Sequence, residues 1–385
     1  MKYKNRPWAE INVENLRENF RNIKSLTKEG TKVCAVVKAN AYGHGSVQVA
    51  KILIEEGADY LAVASEGEAI ELRQAGIKTP ILCLGYVPEV VYEEAIANEL
   101  DITIYSLEAA EKLSKEAVRL GKNARVHIKL DTGMSRLGFQ VEDATVDAIE
   151  KIAGMSGIEL VGVFTHFAKA DEKDKTFTEY QYSGYMKIVS EVEKRGVKIQ
   201  IKHVCNSAGT MDMPQYHMDM VRPGIILYGL YPSDEVMKER LALKPVMTFK
   251  ASVSHVKDLE AGRGIGYGLR YVTDKTTRIA TMPIGYADGF TRMLSGKISV
   301  KVNGTIVPVV GNICMDQSML NVDAVETKVG DEVIIFGEDS DARVERLAQA
   351  LGTINYEIVC MVARRIPRVY MEKNTVLQVV DYLVK

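Results

Sequence analysis

The chain has 385 residues, with 49 Lys plus Arg against 51 Asp plus Glu and a formal net charge of −2 at pH 7. This balance gives no electrostatic reason to expect nucleic acid or an anionic membrane as a partner. Hydrophobic residues make up 46% of the chain and charged residues 26%. Length and composition together predict two or three globular domains with a sizeable core.

The cysteines and the N-terminal residues bear on the cellular compartment. The five cysteines are scattered and never form a C-x-x-C pair: Cys34, Cys83, Cys205, Cys314 and Cys360. This pattern argues against a disulfide framework and against a cysteine-rich zinc site. No apolar segment follows the first basic residues, and no apolar run approaches the ~18 residues of a membrane span. We therefore expect a soluble, cytoplasmic protein.

Short apolar runs alternate with helical patterns through the first part of the chain. The runs are rich in Val, Ile and Leu, as expected of strands buried on both faces. They lie at 33–37, 60–63, 80–84, 101–104, 125–130, 160–164, 201–204 and 225–228. A clear helical spacing between them is that of 107–120. Eight such units predict an α/β fold, a (β/α)8 TIM-type barrel. An open doubly wound sheet is the alternative, but no G-x-G-x-x-G follows the first run.

Beyond about residue 240 the pattern changes to short β-like segments broken by Gly, Asn and Asp. They lie at 247–256, 277–282, 298–302, 305–310, 332–336 and 368–370. Asn303-Gly304, between two alternating runs, predicts a hairpin. We therefore predict a barrel domain over 1–240 and a mostly β C-terminal domain over 241–385. Residues 1–14 could pair with the C-terminal domain instead.

Lys38 is the first candidate for chemistry, in Val37-Lys38-Ala39-Asn40-Ala41-Tyr42-Gly43-His44-Gly45. It follows an apolar strand, at the rim where barrel active sites form. Partial burial there would lower the pKa of its amine and allow it to form an imine. The alternative is an ordinary surface lysine on a loop.

Further candidates follow later strands. Arg136 has the geometry to bind a substrate carboxylate, although an ion pair with Asp131 would also account for it. His166 and His203 end the sixth and seventh strands. Either histidine alone could be structural, but two at equivalent strand ends favour a shared site.

Two loop groups complete the candidates. Asn206-Ser207 and Arg222-Pro223-Gly224-Ile225 flank the seventh and eighth strands, where barrels often bind phosphate; Gly224 could instead be a plain turn glycine. In the β region, Tyr267 and Tyr286 each lie in a glycine-flanked loop, and 312–317 is expected to form a polar turn. A phenol serves as acid or base only if its neighbours lower its pKa from about 10; otherwise such a tyrosine is a capping aromatic.

Taken together, these motifs resemble the alanine racemase family over essentially the whole chain. The run at 35–45 matches the family's first motif, and the others follow in the family's order, at 129–138, 222–228, 266–268, 285–289, 314–316 and 354–357. The resemblance implies a barrel plus a β domain, the cofactor pyridoxal 5′-phosphate (PLP), and a homodimer whose active site is shared between subunits.

The resemblance also implies roles for individual residues. Lys38 would form the internal aldimine with PLP and act as one base. Tyr267 would be the second base, reaching the opposite face from the other subunit. The phosphate would be held by Tyr42, Ser207, Gly224, Ile225 and Tyr356, and Asn206 would be a further cofactor contact.

Arg222 would contact the pyridine nitrogen of PLP, with His166 and His203 behind it. A guanidinium only donates hydrogen bonds, so the facing nitrogen should stay unprotonated. This weakens the electron sink and should suppress transamination, whereas barrel PLP decarboxylases typically place a carboxylate there. The alternative for Arg222 is an ion pair inside the barrel.

The resemblance further places residues around the substrate. Arg136 would orient the phenol of Tyr267 near the substrate carboxylate, and the backbone N–H of Met315 would bind that carboxylate. The entrance would be lined by Tyr271, Tyr286 and Asp316. Lys129 matches a lysine that is carbamylated in some members, and it would brace Arg136.

The implied function is interconversion of L- and D-alanine through a PLP external aldimine with two bases, supplying D-alanine for peptidoglycan. A racemase for serine or another small amino acid is the nearest alternative, since pocket differences of one methylene or hydroxyl are worth only ~1–3 kcal/mol. Arg222 disfavours a PLP decarboxylase. The β domain disfavours a non-catalytic PLP-binding or PLP-homeostasis protein.

Overall fold

The computed structural model describes residues 6–384. Residues 1–5, part of the segment expected to pair with either domain, and residue 385 lie outside this described part. The chain forms two compact units. One is a barrel unit containing 17–41 and 46–243, and the other is a β-rich unit containing the segment up to Leu16, Tyr42–Gly45 and the chain from Lys244 onward.

The barrel unit is built on eight parallel strands, and the predicted (β/α)8 barrel is confirmed. After β1 (Trp8–Asn12), which belongs to the β-rich unit, these strands follow in chain order: β2 (Lys32–Val36), β3 (Tyr60–Val63), β4 (Ile81–Cys83), β5 (Asp101–Ile104), β6 (Ala124–Lys129), β7 (Ile158–Phe164), β8 (Ile201–His203) and β9 (Met220–Val221). Their order in the sheet is β8-β7-β6-β5-β4-β3-β2-β9. The N–H of Arg222 donates to the Cys205 carbonyl (3.0 Å) beside β8 and β9, which nearly closes the barrel.

Helices follow the strands in the chain, as crossover connections between parallel strands require. The predicted helix at 107–120 is confirmed as Leu107–Arg119, with Ala110, Leu113 and Ala117 on its buried face. The Ser106 hydroxyl caps this helix by accepting from the N–H of Ala109. The longer helices up to residue 212 are Val13–Leu26, Ser46–Glu55, Glu66–Gln74, Tyr92–Ala97, Leu107–Arg119, Asp143–Ala153, Thr176–Lys194 and Ser207–Asp212.

The prediction of an eighth strand at 225–228 is wrong. That run is a buried 3₁₀ helix, Ile225–Tyr228, and the eighth strand is β9. Pro223 has no N–H for a strand ladder, and Gly229 ends the 3₁₀ helix in the left-handed region with φ 78°. A short, fully buried apolar run fits a strand or a buried helical turn equally well, so periodicity could not separate them.

The β-rich unit is dominated by a ten-stranded sheet, in which β1 lies between β10 and β19. Its other strands are β10 (Met247–Ser252), β11 (His255–Leu259), β14 (Thr277–Met282), β15 (Ser299–Val302), β16 (Thr305–Val310), β17 (Ser318–Asn321), β18 (Glu332–Phe336), β19 (Arg368–Glu372) and β20 (Thr375–Val380). A separate pair joins β12 (Gly264–Ile265) and β13 (Tyr271–Val272). The predicted segment 247–256 is therefore two strands rather than one.

The predicted hairpin is confirmed between β15 and β16. Asn303 (φ 46°) and Gly304 (φ 82°) both have positive φ, as a two-residue type I′ turn requires. The sequence did not predict β17, β20 or the helices Val344–Leu351 and Asn355–Met361. Within residues 6–384, no helix has both the length and the apolar character needed to cross a membrane.

Candidate active site

Strand β6 presents basic side chains to the barrel interior. Arg125, His127 and Lys129 alternate with apolar residues, so all three lie on one face of the strand. His127 is fully buried and Lys129 is only 5% exposed. Barrel interiors are usually filled by Val, Ile and Leu, so this face is specialised for something other than packing.

Lys38 leads directly into a left-handed turn. Ala39, Asn40, Ala41 and Tyr42 have φ of 53°, 54°, 53° and 51°. Each L-residue in this region costs about 1–2 kcal/mol, so specific contacts must hold the turn. The N–H of Ala39 donates to Glu68 Oε1 at 2.6 Å, and Asn40 Oδ1 accepts from the N–H of Ser46 at 3.0 Å. Such backbone strain is typical of functional sites.

Arg222 is 3% exposed and is held by neutral acceptors. Nη1 donates to His203 Nδ1 at 2.9 Å, and Nη2 donates to the carbonyls of Thr165 (2.8 Å) and Val204 (3.1 Å). Burial lowers the pKa of this guanidinium to about 10, which leaves it charged at neutral pH. Within residues 6–384 the Nε–H has no acceptor, so this donor is available to a ligand.

The cations of the barrel unit converge on His166. Burial lowers the pKa of this imidazole well below its usual range, and the positive charges of four neighbours lower it further. Those neighbours are Arg222, Lys129, Arg136 and Lys38. The structure therefore brings four predicted site residues together around a fifth, the neutral His166, in surroundings that favour an anionic ligand.

Lys129 is itself perturbed by this group. Burial, followed by the charges of Arg222 and Arg136, lowers the pKa of its amine well below the usual range. Its Nζ lies 5.0 Å from the centre of the Phe164 ring and donates to the Leu130 carbonyl at 3.2 Å.

The ion pair between Asp131 and Arg136, which was the structural alternative for Arg136 from the sequence, is not formed. Asp131 Oδ1 instead accepts from the N–H groups of Gly133 and Ser135, both at 3.0 Å. Arg136 is exposed, and across residues 6–384 it has no carboxylate within 4 Å. Its guanidinium is therefore open to a ligand.

The predicted phosphate loops also meet. The N–H of Gly224 donates to Ser207 Oγ at 2.8 Å, so the Ser207 hydroxyl keeps its own proton for an anion. Asn206 Oδ1 accepts from the N–H of Gly209 (3.0 Å), and its Nδ2 donates to the Phe167 carbonyl (3.2 Å). Asn206 thus shapes the loop, and Ile225 begins the 3₁₀ helix that follows Gly224.

In the β-rich unit, Tyr267 is presented by an unusual backbone. Gly266 (φ 68°) and Gly268 (φ 74°) flank it in the left-handed region. Asn312 Nδ2 donates to the Tyr267 carbonyl at 2.6 Å, and the tyrosine itself is 69% exposed. The side chain is thus displayed on a rigid support.

Tyr267 borders an open cavity of about 840 Å³. The N–H groups of Tyr286 and Ala287 donate to the carbonyls of Cys314 and Met315, both at 3.0 Å, which joins two of the loops that form it. Its walls include Tyr267, Tyr286, Cys314, Met315, Asp316 and Met319. The N–H of Met315 has no acceptor in the described part of the chain. Four predicted site residues therefore share this cavity.

Asp316 and three further predicted residues have defined positions in this unit. Asp316 accepts from Arg365 Nη2 at 2.6 Å. Tyr271, on β13, accepts from Asn321 Nδ2 at 3.3 Å and is not among the lining residues of the cavity. The rings of Tyr42 and Tyr356 lie 6.1 Å apart, and burial raises the pKa of Tyr42, which keeps its phenol protonated.

Sequence reasoning missed three residues that support this arrangement. Glu68 holds the turn after Lys38, His127 lies inside the barrel, and Asn312 holds the backbone of Tyr267. Only His127 had a usable signal, the alternation of charged and apolar residues in 125–129. The other two depend on contacts between distant parts of the chain.

The residues of the barrel unit fit PLP. A half-buried lysine can bind an aldehyde, the Arg222 Nε–H can donate to a ring nitrogen, and Ser207 can donate to a phosphate. The surrounding cations complement the negative charge of such a ligand.

Comparisons with known proteins identify the family of the chain. The family descriptions "Alanine racemase, N-terminal domain" and "Alanine racemase, C-terminal domain" match residues 11–232 and 246–370. An alanine racemase of Methanococcus maripaludis is 51% identical over 94% of this chain and 98% of its own.

Solved structures give the same result. The alanine racemase of Clostridium difficile 630 superposes with a TM-score of 0.96 at 51% identity, covering 98% of this chain and 99% of that one. The alanine racemase of Bacillus anthracis with bound L-Ala-P has a TM-score of 0.92 at 37% identity, covering 98% of both chains. Fold, site and relatives define an isomerase of the amino-acid racemase class. Within that class, the chain belongs to the alanine racemase family.

Proposed function

We propose that the protein interconverts L- and D-alanine with PLP as its bound cofactor. The observation that carries the proposal is the group of Lys38, Lys129, Arg136 and Arg222 around the neutral His166. Such a group suits a phosphorylated aldehyde together with an amino-acid carboxylate. The relative bound to L-Ala-P supports alanine as the amino acid.

The cofactor, when bound, delocalises the negative charge left after the Cα proton is removed. Lys38 is the residue that would bind its aldehyde, and Arg222 would donate its Nε–H to the ring nitrogen. Because Arg222 offers no acceptor, it favours the unprotonated nitrogen. The phosphate would be held by Ser207, Gly224 and Ile225, with Tyr42, Asn206 and Tyr356 as further contributors.

Inversion at Cα requires a proton acceptor on one face and a proton donor on the other. We assign the Lys38 amine to one face and the Tyr267 phenol to the other. The rigid support of Tyr267 between two left-handed glycines suits this task, because a proton donor must be held in a fixed position. Arg136 would stabilise the phenolate and, with the N–H of Met315, bind the substrate carboxylate.

We further propose that Tyr267 acts in the active site of a second copy of the chain. Tyr267 is 69% exposed, and Leu269, Val272 and Met315 beside it are also exposed. An apolar surface of this kind marks an interaction site, and a homodimer would cover it. Tyr271, Tyr286 and Asp316 would then line the entrance to the shared site.

Lys129 is the candidate for carbamylation. Its lowered pKa favours the neutral amine, which is the form that adds CO2, and the neighbouring Arg222 and Arg136 would stabilise the carboxylate formed. In ¹³C-bicarbonate, a carbamate resonance is expected in the wild type and absent from Lys129→Met. A wild-type spectrum without that resonance would leave Lys129 as a free amine that braces Arg136.

The activity is tested by incubating the protein and PLP with L-alanine in D2O, with L-serine and L-lysine in parallel. We expect D-alanine carrying deuterium at Cα, formed faster than the products from the other two amino acids. Faster turnover of serine would identify serine, rather than alanine, as the substrate. A bound chromophore without exchange on any amino acid would indicate a cofactor carrier instead.

The role we propose is supply of D-alanine for peptidoglycan, in the cytoplasm. The five cysteines form no disulfide, which is compatible with a reducing compartment.

A further inference from the structure

A chain of buried hydrogen bonds crosses the barrel interior behind Arg222. Arg222 Nη1 lies 2.9 Å from His203 Nδ1, His203 Nε2 lies 3.0 Å from His127 Nδ1, and His127 Nε2 lies 3.3 Å from Asp101 Oδ2. His203, His127 and Asp101 are all 0% exposed. The chain thus links a cation on one side of the barrel interior to a carboxylate on the other.

The direction of every bond in this chain follows from donor chemistry. Arginine can only donate, so His203 Nδ1 is an acceptor and the proton of His203 must be on Nε2. That proton is donated to His127 Nδ1, so the proton of His127 is on its own Nε2 and is donated to Asp101. A second proton on either ring would place two donors face to face, so both histidines are neutral.

The barrel backbone and packing accommodate this hydrogen-bond chain. The pairing of β6 with β7 shifts register between Val126 and His127, which places His127 opposite Gly162. A Cβ at Gly162 would lie 2.5 Å from His127 Nδ1, so only glycine leaves room for the imidazole. The Phe164 ring stacks on His203 with 4.8 Å between centroids and 6° between planes.

The hydrogen-bond chain also bears on how the buried positive charge of Arg222 is compensated. Its direct partners are neutral imidazoles and carbonyls, although an uncompensated buried charge is costly. Asp101 is the carboxylate that the hydrogen bonds reach. Burial would raise its pKa, but hydrogen bonds from His127 and Arg125, together with the charge of Arg125 in a direct ion pair (2.6 Å), outweigh burial and keep the pKa below the usual range. Tyr60 also donates to Asp101, at 3.0 Å, but lies off the path to Arg222.

We propose that Asp101 and His127 are positioning residues for racemisation: through His203 they orient and polarise Arg222, which leaves its Nε–H for the cofactor ring nitrogen. The proposal rests on the proposed function for its catalytic consequence. A carboxylate at the far end strengthens each bond in turn, because an imidazole that donates to an anion becomes a better acceptor at its other nitrogen.

The first test is ¹⁵N NMR of the histidine rings in the protein with PLP and without amino acid. The protein has six histidines, so His127→Gln and His203→Gln identify the relevant resonances. We expect protonated Nε2 and hydrogen-bonded, unprotonated Nδ1 in both rings. A proton on Nδ1 of His203, or an imidazolium at either position, would overturn the proposal without any activity measurement.

The second test compares Asp101→Asn with Tyr60→Phe. Both change a buried group of the same cluster, but only Asp101→Asn removes the anion. We expect the His203 Nδ1 resonance to move toward that of a nitrogen without a hydrogen bond in Asp101→Asn, and to stay in place in Tyr60→Phe. Equal shifts in the two variants would show that the hydrogen-bond chain has a structural role and does not polarise Arg222. If Asp101→Asn does not fold, His127→Gln interrupts the same path and is expected to give the same kinetic defect.

Kinetics complete the comparison. By analogy with the outer-shell partners of metal-bound histidines, kcat should fall about tenfold or more in Asp101→Asn with little change in KM, while Tyr60→Phe stays near wild type. Wild-type protein that shows the expected tautomers but no racemisation would refute the proposed function and leave the hydrogen-bond chain standing. Racemisation by a protein in which His203 and His127 show other tautomers would refute only the hydrogen-bond chain.

Discussion

At the scale of single residues, the barrel unit buries two basic side chains, those of Arg222 and Lys129, that have no carboxylate within 4 Å among residues 6–384. Arg222 is bonded to neutral groups, and the pKa of Lys129 is lowered by burial and by two arginines. Such an arrangement is costly in an empty site and favourable once an anion is bound. A phosphorylated cofactor and a substrate carboxylate would supply that negative charge.

Lys38→Ala is expected to abolish racemisation in both directions, because the same amine would bind the cofactor and serve as one base. Chiral analysis of alanine from either enantiomer measures the loss. Lys32→Ala is the matched control, since Lys32 is an exposed lysine at the start of β2. Turnover retained by Lys38→Ala, in protein free of wild type, would contradict the assignment.

Tyr267→Phe is expected to lose most racemisation, with a fall of roughly 10²–10⁴-fold for removal of a proton-transfer group. It should keep bound PLP, and in D2O it should still exchange the Cα proton of one enantiomer without inversion, because Lys38 remains. Alanine chirality and deuteration are followed together. Tyr180→Phe, at an exposed tyrosine of the helix Thr176–Lys194, should behave as wild type; an unimpaired Tyr267→Phe would exclude the second base.

At the scale of elements, chemistry-bearing side chains are placed by irregular backbone. Lys38 precedes four residues in the left-handed region, and Tyr267 is flanked by two glycines in the same region. The glycines adopt this conformation without penalty, whereas Ala39 and Ala41 do not. The first turn therefore depends on contacts such as that between Ala39 and Glu68.

Ala39→Gly tests that strain. Since glycine removes the left-handed penalty of about 1–2 kcal/mol but adds unfolded-state entropy of about 0.4–1 kcal/mol, we expect unchanged or slightly raised stability. Ala148→Gly, in the helix Asp143–Ala153, should instead lower stability by about 0.5–1 kcal/mol. Urea denaturation midpoints measure both, and equal losses at the two positions would show that the turn at Ala39 is unstrained.

At the scale of the whole molecule, the two proposed bases lie in different compact units of the chain. If Tyr267 serves a second copy, then one heterodimer site can be complete even when each chain lacks one base. The oligomer is then part of the active site, and not only a means of stabilising it.

Mixing Lys38→Ala with Tyr267→Phe after dissociation and reassociation tests this arrangement. Random pairing makes half of the dimers mixed, and one of the two sites in each is intact, so about a quarter of wild-type activity should return. Each variant alone should stay inactive under the same treatment. If both bases came from one chain, no site in the mixture would be complete and no activity would return.

Much of the fold and site could be predicted from the sequence, because both depend on local patterns. Buried strands are short runs of Val, Ile and Leu, and the Asn303-Gly304 turn requires residues that tolerate positive φ. Lys38, Arg222 and Tyr267 lie in distinctive local motifs, and their roles followed from the resemblance of those motifs to the alanine racemase family. The wrong strand at 225–228 marks the limit, since a buried 3₁₀ helix has the same composition.

The sequence by itself determined the barrel and the β-rich region through local composition and spacing, and its motifs indicated the candidate residues through their resemblance to the alanine racemase family. Only the tertiary structure decided which of those residues meet. The left-handed turn after Lys38, its support by Glu68 and the bonds from Arg222 to Asp101 join parts of the chain far apart in sequence. The direction of a side chain, and hence of each hydrogen bond, is settled by packing around it, which no local pattern records.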